Sequence, residues 1–246
     1  MVLLLIIACT LLTGAGAVAL AGATLLLSEP ARKRLTPLAV SYATGTLLGA
    51  ALLGLLPHAL AKLSAPRVLA TVLAGIIAFF ILEKLAIWRH CHVHKCEFHS
   101  SAGRLILIGD SLHNFVDGVA IAVGFVTSVP MGIAASVAVA SHEIPQEIGD
   151  FFILLDSGFT RGKAFAYNLL SGLAVVVGGV LAYAWVSMAG SVAPYITAFS
   201  AASFVYIALA DLIPGHRQET NLRSIVQQLG LILAGISTIV LLHGAL

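Results

Sequence analysis

The chain has 246 residues, 59% of them hydrophobic and 10% charged, with 13 Lys/Arg against 11 Asp/Glu. Soluble domains carry roughly 45–50% apolar and about 25% charged residues, so a separate water-exposed domain is excluded for most of this length. The net charge of +2 does not argue for nucleic acid, and the chain has no GxxxxGK[ST] stretch to support direct use of ATP.

Eight apolar stretches follow in order, at 1–27, 37–61, 67–88, 103–127, 131–155, 162–187, 193–213 and 224–245. Each is long enough to cross a hydrocarbon layer as a helix with some tilt. The expected fold is therefore all-α: a polytopic membrane protein of eight transmembrane helices in a single domain, 1–246. The first stretch lacks a basic n-region and is longer than a signal h-region, so it is expected to remain as a helix. Ten Lys/Arg fall in the loops after stretches 1, 3, 5 and 7, whereas the alternate loops hold only Lys62 and Arg67. The positive-inside rule then places both termini outside the cytoplasm.

Stretch 2 ends Leu55-Leu56-Pro57-His58, and stretch 7 ends Leu212-Ile213-Pro214-Gly215-His216. The two run in opposite directions, which suggests an inverted 3+2+3 repeat of the kind that builds midplane sites in transporters. His58 and Asp211 sit near the ends of these stretches, where they could line a path or cap an interface.

Stretches 4 and 5 break the apolar rule. One contains Asp110, His113, Asn114 and Asp117, and the other His142, Glu143, Gln146, Glu147 and Asp150. An ionisable group at the bilayer centre costs about 2.5–3.5 kcal/mol on insertion scales, so none of these can face lipid. At 100° per residue each set occupies one sector of its helix, and a connection of three or four residues would turn the sectors toward each other. His113 with Asp117, and His142 with Gln146, are i, i+4 pairs able to chelate one ion. Asn114, Asp117, Glu143 and Gln146 could supply an adjacent oxygen-rich position. Helix–helix adhesion needs one or two polar residues, not two imidazoles and four or five carboxylates. Pro145 removes an amide donor within the motif.

The segment between stretches 3 and 4 holds His90, Cys91, His92, His94, Cys96 and His99. Soft and borderline ligands in such a loop suit transient capture of zinc. Their spacing is not that of a zinc finger. The cysteines suggest no disulfide framework, because this loop is on the side where thiols stay reduced.

His-Asn-Phe-Val-Asp-Gly at 113–118 and His-Glu-Ile-Pro-Gln-Glu-Ile-Gly-Asp at 142–150 resemble the signatures of the ZIP (Zrt-, Irt-like protein) metal transporters. The likeness extends to Gly45–Ala50 before Pro57-His58, and to Tyr206–Pro214. The resemblance implies a binuclear centre in a transport path, reached from each side by alternating access. Its first position would be His113, Asp117, His142 and Gln146, and its second Asn114, Asp117, Glu143 and Gln146. Members often carry Glu or His where Gln146 stands. Ser171 matches a position where some members have an acidic ligand, with Asn168 one turn before it. Asp110 and Glu147 are further candidates for metal or pathway. The expected activity is uptake of Zn²⁺, with Cd²⁺, Fe²⁺ or Mn²⁺ as further cargo, through the cell membrane or an organelle membrane, with no organic cofactor. A homodimer is permitted. The competing reading is an intramembrane zinc metalloprotease or hydrolase, since His142-Glu143-x-x-Gln146 is one residue from HExxH.

Overall fold

Backbone amides in a lipid interior have no water to bond, so apolar stretches of this length close their hydrogen bonds as helices. A computed structural model of the chain, which describes residues 1–24, 26–88, 98–188, 191–213 and 221–244, contains helices and no strand among the described residues. The helices are α1 (Val2–Thr24), α2 (Glu29–Gly49), α3 (Leu56–Lys62), α4 (Ala65–Trp88), α5 (Phe98–Thr127), α6 (Val129–Asp156), α7 (Arg161–Gly172), α8 (Ala174–Met188), α9 (Ala193–Tyr206) and α10 (Leu222–Gly244). A π-helical segment, Ala50–Leu55, joins α2 to α3 as one rod, and a second, Ile207–Leu212, extends α9. α7 and α8 are also nearly continuous: Leu173 N–H donates to the Leu169 carbonyl and Val176 N–H to Leu173.

Helix ends differ from the apolar limits in a consistent way. α2 starts at Glu29, before residue 37, and α5 starts at Phe98, before residue 103. Apolarity marks the part able to lie in lipid, while the helix itself runs on through flanking polar residues. Among the described residues, six rods, including Val2–Thr24, Arg34–Lys62 and Arg161–Val186, are long and apolar enough to cross a membrane. α5 and α6, with acids at their middles, are not among these six.

The burial pattern is that of a protein dissolved in lipid. Leu4, Leu12, Leu69, Leu73, Trp185, Leu233 and Leu241 are exposed, while Thr44, Thr46, Asp117, Glu143, Ser200 and Ser203 are buried. Water would not tolerate so much exposed apolar surface. The chain is an integral, multi-pass membrane protein. Several buried hydroxyls are satisfied within their own helices, as when Thr10 donates to the Ile6 carbonyl and Ser136 to Gly132.

The rods pack in matched pairs. α1 lies along α6 as α8 lies along α5; α10 lies along α2 as α4 lies along α9; and α2 touches α6 as α9 touches α5. Glycines permit the closest crossings. A Cβ on Gly118 would overlap the Val175 carbonyl oxygen, and one on Gly178 the Phe115 carbonyl oxygen. Likewise Gly45 abuts the Ile232 carbonyl, and Gly235 the Tyr42 carbonyl.

The two π-helical segments also match. At the first, Ala50 N–H donates to the Thr46 and Leu47 carbonyls and Leu56 N–H to Ala51; at the second, Ile207 donates to Ser203 and Phe204, and Ile213 to Ala208. Each segment ends two residues before a proline in the sequence, Pro57 or Pro214. A proline ring clashes with the carbonyl four residues earlier and offers no amide, and a wider turn relieves both problems.

One residue connects α5 to α6. Ser128 accepts the Met131 amide at 3.2 Å as an N-cap, with a proline beside it in the first turn. Ser128→Ala is expected to lower thermal stability in detergent by about 1 kcal/mol, the usual worth of a cap; an unchanged melting temperature would contradict it. At its other end α6 stops in a Schellman arrangement: Phe159 N–H reaches the Leu154 carbonyl and Gly158 N–H that of Leu155. Gly158 takes φ +85°, a conformation open to residues without a Cβ. Thr160 then caps α7.

Candidate metal centre

The tight hairpin at Ser128 sets depth by simple counting. His113 lies fifteen residues before it and His142 fourteen after; Asp110 and Gln146 are each eighteen away. At about 1.5 Å rise per residue, members of each pair stand level.

The structure brings His113, Asp117, His142 and Glu143 together, with one ligand atom from each within a common 4.8 Å. The two Nε2 atoms are 3.1 Å apart. His142 Nε2 is 3.0 Å from Asp117 Oδ2 and 3.5 Å from Glu143 Oε1. His113 Nε2 is 3.6 Å from each of the same oxygens. Four ligands at about 2.0–2.1 Å from a tetrahedral Zn²⁺ stand about 3.3 Å from one another. The measured separations bracket that value, so these donors fit a zinc ion as they stand. His142 Nδ1 is 3.1 Å from the Ala138 carbonyl. A hydrogen bond there fixes the neutral tautomer whose Nε2 lone pair points inward, the usual outer-shell device at histidine metal sites. Phe204 of α9 closes the other side of the His142 ring, with centroids 6.5 Å apart.

Beside this group lies a second one, Asp110, Glu143 and Glu147, again with ligand atoms within 4.8 Å. Asn114 Nδ2 and Gln146 Nε2 both donate to Asp110 Oδ1, at 3.0 and 3.1 Å. Gln146 thus reaches Asp110 through its amide nitrogen, while Glu143 stands among the four grouped ligand atoms. In the His142-Glu143-x-x-Gln146 run the second histidine of HExxH is replaced by Gln146, and Glu143 stands among the ligand atoms rather than apart from them as a base. Nothing here supports the hydrolase reading.

Burial around the centre is severe. Asn114, Asp117, His142, Glu143, Glu147 and Asn168 have no exposed surface, while the His113 side chain keeps 17% and Gln146 is half-buried. Asp110 Oδ2, Asn114 Oδ1, Asp117 Oδ1 and both oxygens of Glu143 and Glu147 have no hydrogen-bond partner. An unsatisfied buried polar atom costs about 1–3 kcal/mol, more when charged. Concentrating so many acceptors in one place is the design of a cation site. Ser171 on α7 stands beside Asp110, and its hydroxyl bonds to the Asn168 carbonyl at 3.0 Å.

Other residues singled out by sequence lie apart. His58 lines a cleft of about 360 Å³ with Lys62, Val126, Thr127 and Thr197, at the end where α5 turns into α6. Asp211 belongs to the second π-helical segment, with its side chain outside the described residues. His90, Cys91, His92, His94 and Cys96 fall outside the described residues, as does the side chain of His99, which lies in the first turn of α5. Sequence reasoning did not single out Phe204, nor the inclusion of Glu143 beside His142. Adjacent helical residues point about 100° apart, so spacing favoured Gln146, one turn on from His142. The length of the Glu143 side chain makes up the difference.

Comparison with known proteins agrees with this geometry. The model of the ZIP zinc transporter family matches residues 89–243. Zinc transporter ZIP13 of Pongo abelii is 35% identical over 234 residues, covering 89% of this chain and 70% of that one. Zinc transporter ZIP10 of Mus musculus is 40% identical over 110 residues, which is 45% of this chain and 13% of that protein's length. Zinc transporter ZIP6 of Homo sapiens shares 40% over 110 residues, 45% of this chain and 15% of its own. A long polytopic match, with the signature residues at the buried centre, leads to one assignment: the chain belongs to the ZIP zinc transporter family.

Proposed function

We propose that this protein carries Zn²⁺ into the cytoplasm through the site formed by His113, Asp117, His142 and Glu143. The observation that carries the reading is their zinc-sized spacing inside a multi-pass bundle. Two imidazoles and two carboxylates are borderline ligands that also accept Cd²⁺, Fe²⁺ or Mn²⁺. The relatives' printed names, all zinc transporters, put zinc first. Eight spans with both termini outside the cytoplasm accord with the distribution of Lys/Arg. An inside-negative membrane potential supplies about 2.3 kcal/mol per charge per 100 mV, hence about 4.6 for a divalent ion, enough to favour uptake without ATP.

Alternating access has structural support in the matched packing. The paired rods and the two equivalent π-helical segments fit an inverted repeat related about the α5–α6 pair. α1, α5, α6, α7 and α8 form one block, which moves against α2, α4, α9 and α10. The site travels with the first block and meets each side in turn. The histidine- and cysteine-rich stretch 89–102 takes up the incoming ion on the cytoplasmic side.

Purified protein in liposomes with an inside-negative potential tests this. Zinc is expected to accumulate saturably, with Cd²⁺ competing. Zinc binding without accumulation would leave a sensor or receptor and sink the transport reading, and peptide cleavage without flux would restore the hydrolase.

A further inference from the structure

We infer that Ser200 on α9 is a station on the outer route to the metal centre, where its hydroxyl oxygen takes a place in the water shell of an incoming divalent cation. This inference rests on the metal-carrying role proposed above and adds the path by which the ion arrives.

A serine or threonine inside a helix can bond back to the carbonyl three or four residues earlier. Buried hydroxyls of α2 and α9 do so: Thr44 donates to Val40, Thr46 to Ala43 and Thr197 to Ala193, each at 2.9 Å, and Ser203 to Ser200 at 2.7 Å. Ser200 forgoes that bond. It has no exposed surface, and among the described residues it is the one buried hydroxyl left without a partner. A hydroxyl shut away from water and unpaired lowers stability. Its presence calls for a partner that is there only part of the time.

Its neighbours on α9 indicate which partner. Thr197, Ser200 and Phe204 stand at i, i+3 and i+7, within about 60° of the helix circumference. Thr197 lines the cleft that also contains His58 and Thr127, at the outer end under the orientation proposed above. Phe204 is at the other end of the row, edge-on to the His142 ring with 6.5 Å between centroids. At about 1.5 Å per residue the row covers about 10 Å, with Ser200 between the cleft and the ligand ring. With no exposed surface, Ser200 is sealed from that cleft in this structure. α9 packs on α5, so the row belongs to the boundary between the two blocks, where their relative movement would open it. A neutral hydroxyl oxygen suits a passing ion, because it replaces a water without holding the ion as a carboxylate would.

The test uses the full chain in liposomes with an inside-negative potential. Ser200→Ala removes only the unpaired hydroxyl, so its melting temperature is expected to equal or exceed that of wild type, with equilibrium zinc affinity unchanged. Its maximal rate of zinc uptake is nonetheless expected to fall about tenfold, the equivalent of one hydrogen bond. Ser200→Thr keeps the hydroxyl and should recover most of that rate. A second arm follows access directly. In a chain whose own cysteines are replaced by serine, Ser200→Cys is expected to react with a membrane-impermeant thiol reagent added outside, and zinc is expected to slow the reaction. Ala202→Cys, on the opposite side of α9 against Gly75, should stay unreactive. Wild-type uptake by Ser200→Ala would overturn the inference, as would a fall in its stability alongside its uptake, or equal reaction at positions 200 and 202. Full uptake by Ser200→Ala removes the station and leaves the transport reading standing; if wild type carries no zinc, that reading itself falls.

Discussion

Replacing His142 by alanine is expected to reduce zinc flux into liposomes by more than about 100-fold, since even the outer partners of metal-bound histidines are worth about 10–100-fold in affinity. His142 Nε2 lies within 3.0–3.5 Å of three of the other ligand atoms, so it is central to the group. Its removal leaves Asp117 and Glu143 without their nearest basic neighbour and His113 without its partner. The protein should still insert, because the lipid-facing rods are untouched. A second readout separates binding from folding. Zinc at about 100 times its dissociation constant stabilises a protein by about 2.7 kcal/mol, and that increment in melting should vanish in His142→Ala. Wild-type flux with an unchanged zinc-dependent shift would show that the ion is held elsewhere.

The second large effect is expected from a residue that touches no ion. Gly118→Ala places a methyl group against the Val175 carbonyl, with the Gly179 amide nitrogen 2.7 Å from the new carbon. Neither neighbour is a side chain able to swing away, so α5 and α8 must part. Overpacking of this kind costs about 1–3 kcal/mol. Asp117 is the preceding residue, and its Oδ2 sits 3.0 Å from His142 Nε2, so separation of the helices also spoils the ligand spacing. Gly118→Ala should therefore melt earlier without zinc and gain less from zinc than wild type. Gly178→Ala, which meets the Phe115 carbonyl from the facing helix, should behave alike. Wild-type stability and zinc response in both variants would mean that this crossing does not hold the centre.

Much of this architecture can be read from the chain. Long apolar runs have one solution in lipid, and a polar sector on such a helix must turn inward, which is why α5 and α6 and their ligands are visible in the sequence. The ligand set is harder. Periodicity places residues on a face but does not say where a flexible side chain ends. Spacing alone does not give the place of Glu143 beside the two imidazoles, nor the hydrogen bond from the Gln146 amide to Asp110. The close crossings at Gly118 and Gly178 were equally hidden, since glycine in a membrane helix has many uses and names no partner. The proline pairs at 57 and 214 did carry a signal, though not the change of helix type before each one.

Those wide turns have a further implication for how the bundle flexes. A uniform α-helix is a stiff beam, because bending it anywhere breaks bonds that have no substitute. Where the bonding rule changes from four residues back to five, a carbonyl has two amides within reach and can trade one for the other. Each of the two rods contains such a turn, Ala50–Leu55 in one and Ile207–Leu212 in the other. Under the alternating access proposed above, such paired turns would let the bundle lean toward either face of the membrane by equivalent local rearrangements.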